Sequence, residues 1–152
     1  MLVGLLVAVW PARTQRTATR ADSLQQRLAT APLDTGRVLL LKQLAYERVE
    51  VDPVASARRA RQALQLAHEL RYARGESQAY FRLGAGLRNT GDFPAAQQLL
   101  LQGLYLAEAL HDQSTIATVY NALGRLSSEQ RKFRPALGCF FRTKKLAEQI
   151  SN

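Results

Sequence analysis

The chain has 152 residues, 47% of them hydrophobic, which gives one domain a buried core and excludes a disordered segment. Lys and Arg number 21 against 12 Asp and Glu, a formal charge of +9, so nucleic acid, an anionic membrane or another acidic partner is attracted to it. Cys139 is the only cysteine, which excludes an internal disulfide, and in its apolar setting it reads as a small core residue.

Residues 1–15, MLVGLLVAVWPARTQ, open with an unbroken apolar run from Leu2 to Trp10. That run is far shorter than the roughly 20 residues that cross a bilayer as a helix, so no stable transmembrane helix is expected there. It reads as an export signal and predicts a periplasmic or otherwise exported protein, with the cytoplasm as the location if it is not a signal. No basic residue precedes it; Arg13, Arg16 and Arg20 follow it. Residues 16–33 read as a polar linker with a short helix from Asp22 that covers the N-terminal end of the domain.

From Asp34 to Ile150 there is no alternating strand pattern, and Ala, Leu, Gln, Glu and Arg predominate, all good helix formers. Capping residues set the boundaries. Asp34 opens a helix to about Glu50, and Asp52 with Pro53 opens one to about Leu70. Glu76 begins a helix that ends at Asn89, where Gly91 can turn left-handed. Asp92 and Pro94 open the next, to about Leu110; Asp112 or Ser114 opens one to Glu129; Pro135 lies in the first turn of the last, to about Ile150. The result is an all-α domain over residues 34–150, in three hairpins of 34–71, 76–111 and 114–150.

The second and third hairpins repeat. Tyr80, Leu83, Gly84, Phe93, Ala96, Ala107 and Glu108 recur forty residues later as Tyr120, Leu123, Gly124, Phe133, Ala136, Ala147 and Glu148. In the first hairpin Leu41, Leu44 and Ala45 match Tyr80, Leu83 and Gly84 at a spacing of 39, and Pro53 and Ala55 match Pro94 and Ala96 at 41, which predicts a turn two residues shorter. Gly84 and Gly124 are expected where two helices approach closely, with Ala96 and Ala136 opposite. Phe93 and Phe133 are expected to fill the gap between hairpins, with Leu100 and Phe140 on the core side.

The stretch AYFRLGAGLRNTGDFPAAQQLLLQGL resembles the tetratricopeptide repeat, and the resemblance extends over about residues 37–150. The spacing of about 40 instead of 34 is similar to the long-helix variety in bacterial sensor proteins and kinesin light chains. Arg131 departs from the turn glycine at Gly91, and Gly103 and Thr143 stand where the family prefers alanine. The resemblance implies an alpha-alpha superhelix, a solenoid of about three stacked helical hairpins. It also implies a concave groove lined by the first helix of each pair. That groove would take Lys42, Tyr46 and Val49 from the first hairpin, Gln78, Phe81, Ala85 and Arg88 from the second, and Thr118, Asn121, Arg125 and Ser128 from the third. Arg88 and Arg125 are expected to meet a carboxylate, and Tyr46 and Phe81 an apolar side chain. Phe81 and Ala85 replace the Lys and Asn with which some members clamp a peptide C-terminus, so that specificity does not carry over.

The function so implied is a non-catalytic protein-protein interaction scaffold, the sensory or interaction part of a bacterial signalling protein, whose partner is a protein or peptide with acidic groups. No cofactor, metal, small-molecule substrate or catalytic residue is expected. His68 and His111 lack ligands at metal spacing, and the glycines of RLGAGLRNTG have no preceding strand and no following Lys. The alternative is a basic RNA-binding helical repeat protein, for which Phe141 with Arg142, Lys144 and Lys145 is the one candidate patch. No polar helix follows the last hairpin, so Leu137, Phe141 and Ile150 are expected on an uncovered C-terminal face, which reads as a homodimer contact, the end of a truncated gene product or the seat of a missing downstream domain.

Overall fold

A computed structural model describes the backbone of residues 12–151 and the side chains of residues 20–151, so the apolar run Leu2–Trp10 lies outside the described residues. The described residues form α1 (Ala12–Thr30), α2 (Thr35–Arg48), α3 (Pro53–Glu69), α4 (Ala73–Asn89), α5 (Phe93–Ala109), α6 (Gln113–Glu129) and α7 (Phe133–Ser151), with no strand among them. Each helix packs chiefly on its sequence neighbours, and α4 also touches α2 and α6, so α2, α4 and α6 form an inner layer and α3, α5 and α7 an outer one. This is an all-helical, solenoid-like stack of hairpins.

Side-chain caps act at the four aspartates that the sequence marks. Asp34, Asp52, Asp92 and Asp112 each accept a hydrogen bond from the backbone N–H three residues on. Three boundaries differ from expectation. The segment read as a linker is helical from Ala12, well ahead of Asp22. Helix α2 ends at Arg48, short of Glu50, and α4 starts at Ala73 instead of Glu76, without a side-chain cap from Tyr72; α7 starts at Phe133, which puts Pro135 in its first turn as expected.

Helix α4 starts early because of a turn that recurs every twenty residues. After α3, α4, α5 and α6 the chain takes a positive φ at Arg71 (51°), Gly91 (85°), His111 (52°) and Arg131 (60°). At each, the next residue's N–H reaches back to a helical carbonyl, Tyr72 to Ala67, Asp92 to Leu87, Asp112 to Ala107 and Lys132 to Ser127. The left-handed residue itself bonds to His68, Arg88, Glu108 or Ser128. These are the paired bonds of a Schellman ending, which closes the last carbonyls and redirects the chain into the next helix within one residue. Three of the four turns hold the strained conformation without glycine.

That spacing also corrects the register of the first hairpin. Asp52 caps α3 as Asp92 caps α5, which sets α3 against α5 at 40 and not 41. The buried small residue at the position of Ala96 and Ala136 is therefore Ser56, not Ala55, and its Oγ donates to the Ala45 carbonyl at 2.7 Å. The connection is one residue shorter between matched core positions, not two, because α2 itself ends early at Arg48.

The expected close approaches are present. A Cβ on Gly84 would lie 2.9 Å from Leu100 Cγ, and one on Gly124 would lie 2.6 Å from Phe140 Cε1. A large side chain faces a glycine in both hairpins, whereas the first packs Ala60 near Ala45. Leu44, Leu83 and Leu123 are buried and Tyr80 and Tyr120 half-buried, in the order expected. One core cluster gathers Leu24, Leu28, Val38 and Leu44 from α1 and α2 with Leu66 and Ala79; a second gathers Leu100, Leu104, Ile116, Val119 and Leu126. Helix α1 therefore covers the N-terminal end of the stack, and Arg20 Nε pairs with Glu47 Oε1 at 3.0 Å along that seam.

The last hairpin departs from expectation. Phe93 is half-buried against the second cluster, but Phe133 is 61% exposed because, among the described residues, no helix packs on that side of α7. Leu137, Phe141 and Ile150 are exposed as expected. Leu137 and Phe141, however, occupy the positions of Gln97 and Leu101, which stay exposed although α6 follows α5, so they face outward rather than along the stack. Ile150 is out of register with both.

Candidate functional site

The inner helices enclose a cleft of about 180 Å³. Tyr46 and Val49 reach it from α2 and its C-cap, Phe81, Ala85 and Arg88 from α4, and Thr118, Asn121 and Arg125 from α6. All eight are groove positions expected from the sequence. Glu50, Arg82 and Asn89 also line it and were not expected. Lys42, Gln78 and Ser128, which were expected, do not.

Arg82 organises the apolar side of the cleft. Its guanidinium carbon sits 4.6 Å from the centre of the Tyr46 ring, which ties α2 to α4, and 4.8 Å from that of its neighbour Phe81 on α4. Burial lowers its pKa from the ordinary arginine value. The two aromatic rings are therefore held in place beside a planar cation before any ligand arrives.

Arg88 corrects an expectation. It is buried, its Nη2 donates to Asn89 Oδ1 at 2.7 Å, and its Nε lies 3.7 Å from Glu129 Oε1. Asn89 in turn donates to the Val49 carbonyl at 3.2 Å, closing the cleft's lower wall. Burial and the nearby Arg125 lower the pKa of Arg88, while Glu129 opposes them. Arg88 is thus already provided with a carboxylate and serves to join α4 to α6. Arg125 is exposed and makes no ion pair among the described residues, which leaves it free for an incoming anion together with exposed Asn121.

Lys42 is the second correction. It is buried beside the cleft, where Nζ donates to Gln78 Oε1. Gln78 Nε2 donates to Thr115 Oγ1 at 3.3 Å, Thr115 Oγ1 to Asp112 Oδ2 at 2.9 Å, and Arg74 Nε lies 3.1 Å from the same oxygen. A polar chain thus runs across α2, α4 and α6. Burial, and then the positive charge of Arg82, push the Lys42 pKa down to about 8, against the pull of Asp112. Lys42 and Gln78 are struts between the inner helices and not a ligand-facing surface.

The candidate nucleic-acid patch is partly spent. Arg142 lies over the Tyr120 ring at 5.2 Å and its Nη1 donates to the Tyr120 hydroxyl at 2.7 Å; Lys144 Nζ lies 3.8 Å from Glu148 Oε1. Phe141 remains exposed. Among the described residues no cluster of His, Cys, Asp and Glu can hold a metal ion, and no helix is long and apolar enough to cross a membrane. The Cys139 thiol is half-buried and burial raises its pKa, which holds it in the less reactive protonated form.

Comparison with known proteins adds one likeness of architecture. The chain is similar to the solved structure of BtubC (BKLC) from P. vanneervenii, with a TM-score of 0.65 and 22% sequence identity. The match covers 92% of this chain and 56% of that one. What is shared is the fold. The chain spans about half the length of that neighbour, so the neighbour's own role is not transferred. No protein-family model matches the sequence, and no curated protein matches it.

Proposed function

We propose that the chain is a tetratricopeptide-like, non-catalytic interaction module whose inner cleft receives a segment of a partner protein carrying acidic and apolar side chains. The observation that carries this reading is the division of labour in the cleft: Arg88 is neutralised by Glu129, Arg82 is stacked between two rings, and Arg125 is left exposed beside them. An acidic group would pair with Arg125, bidentately where geometry allows, and an apolar side chain would lie against Tyr46 and Phe81. The module would serve as the sensory or interaction part of an exported bacterial signalling protein, with Leu2–Trp10 as its export signal.

The test is fluorescence anisotropy with a panel of labelled ten-residue peptides that vary in acidic and apolar content, with a single-stranded RNA alongside. Micromolar binding by acidic-apolar members, weakened roughly tenfold by Arg125→Ala or Phe81→Ala, supports the reading; loss of one charge-assisted contact is worth about that much. Binding unchanged by both substitutions, or confined to RNA with steep salt dependence, contradicts it.

A further inference from the structure

The outer helices share a feature that the cleft does not use. Positions spaced i, i+4, i+7 and i+11 from Val54, Pro94 and Arg134 form one stripe along each of α3, α5 and α7, opposite the buried face of each helix. The forty-residue register gives the three stripes the same place on successive hairpins. On α3 the stripe reads Val54, Arg58, Arg61, Gln65; on α5, Pro94, Gln98, Leu101, Tyr105; on α7, Arg134, Gly138, Phe141, Lys145. All twelve are exposed and none is acidic.

Large apolar groups stand among the cations. Leu101 is 48% exposed, Tyr105 74% and Phe141 70%, and Leu137 flanks Phe141 at 68%. The three outer helices carry seven basic residues against three acidic ones, and each acid, Glu69, Glu108 or Glu148, lies in the last turn or next to it. Arg58, Arg61, Arg134 and Lys145 make no ion pair among the described residues. Leu137 and Phe141 keep their outward direction whether or not another hairpin follows, because the equivalent Gln97 and Leu101 do.

We propose that this outer face docks on an anionic lipid surface. A protein partner would call for apolar residues gathered into one desolvated centre. Here they are distributed over all three outer helices, with Val54 on α3, Leu101 and Tyr105 on α5 and Phe141 on α7, and the cations stand on α3 and α7, as in surfaces that place leucine and aromatic side chains at the headgroup boundary and Lys and Arg against lipid phosphates. The module would then lie on the membrane with its inner cleft turned to the solution, so that the two faces bind different partners at once.

The experiment is cosedimentation of the full chain with phosphatidylcholine vesicles, with and without phosphatidylglycerol. Binding only to the anionic vesicles, weakened by salt, is expected. Arg61→Gln with Lys145→Gln should weaken it roughly 30-fold, at about 1 kcal/mol per cation. Leu101→Ser with Phe141→Ser should weaken it roughly tenfold or more with unchanged helical circular dichroism, since both side chains are exposed. Variants that bind as well as the parent overturn the proposal, because the apolar N-terminal run would then carry the binding. So does binding to single-stranded RNA but not to vesicles.

Discussion

The inner and outer layers of the stack use their charges in opposite ways. On the inner helices Lys42, Arg82 and Arg88 are each drawn into contacts that join one helix to the next, and burial lowers the pKa of all three. On the outer helices Arg58, Arg61, Arg134 and Lys145 stand in solvent among exposed apolar groups. An inner cation is therefore mainly part of the fold, with Arg125 the exception; of the outer ones Arg58, Arg61, Arg134 and Lys145 are available to a partner, while Arg142 and Lys144 are held by Tyr120 and Glu148. Counting charge, +9 overall, hides this distinction, because position decides which cations can do binding.

The sharpest break of that comparison uses two adjacent residues. Leu100 is fully buried against Gly84, while Leu101 faces outward. Leu100→Ala should cost about 2–5 kcal/mol in urea unfolding, and Leu101→Ser should stay within about 0.5 kcal/mol. Comparable losses at both would show that the outer face is packed.

Lys42 gives the next largest effect. Its folded pKa of about 8 lies below the unfolded value of 10.5, so below pH 8 the charged lysine is carried at a cost in the folded state. The unfolded chain binds the extra proton between those values, so this contribution to stability rises with pH through that window. Over the whole window it amounts to about 3 kcal/mol at 1.36 kcal/mol per pH unit, of which about 2–3 kcal/mol falls between pH 7 and pH 10. The stability difference between the parent and Lys42→Met, measured from pH 7 to pH 10, should shift by that amount in the parent's favour. A flat difference would place Lys42 in solvent.

Arg88 and Arg125 should separate cleanly. Arg88→Ala removes a buried group from Asn89 and Glu129 and should destabilise the fold by about 1–3 kcal/mol. Arg125→Ala should leave stability within about 0.5 kcal/mol while weakening peptide binding. Equal effects of the two on stability would erase the assignment of roles.

The smallest effects test the turns. Gly91→Ala should destabilise, and Arg131→Gly stabilise, by about 1 kcal/mol each in thermal melts, since both positions are left-handed. Arg131→Gly that destabilises would mean that its side chain contributes more than its backbone costs.

Much of this architecture was legible in the sequence, for local reasons. The aspartate caps act within three residues, and the forty-residue repeat of Gly84 and Ala96 fixes two hairpins by size alone. The Schellman turns at Arg71, His111 and Arg131 were not legible, because no glycine marks them and the chain bears the strain for the sake of the turn's hydrogen bonds. Ser56 was misplaced because adjacent alanines at 55 and 57 leave the register of α3 undetermined until its cap is seen. In the cleft, the positions of Tyr46, Phe81, Asn121 and Arg125 followed from the resemblance to the tetratricopeptide repeat. The fates of Arg88, Lys42 and Arg82 did not, because each is settled by a partner on a different helix, Glu129, Gln78 or Tyr46, that no periodicity connects to it.

The most direct test of the central claim is to follow the backbone amide resonances of the full chain while titrating an acidic-apolar peptide from the panel. Shifts confined to the cleft residues of α2, α4 and α6, around Phe81, Asn121 and Arg125, are the predicted result. Shifts centred on α3, α5 and α7, or none at millimolar peptide, would contradict the assignment of the inner cleft as the protein-binding face.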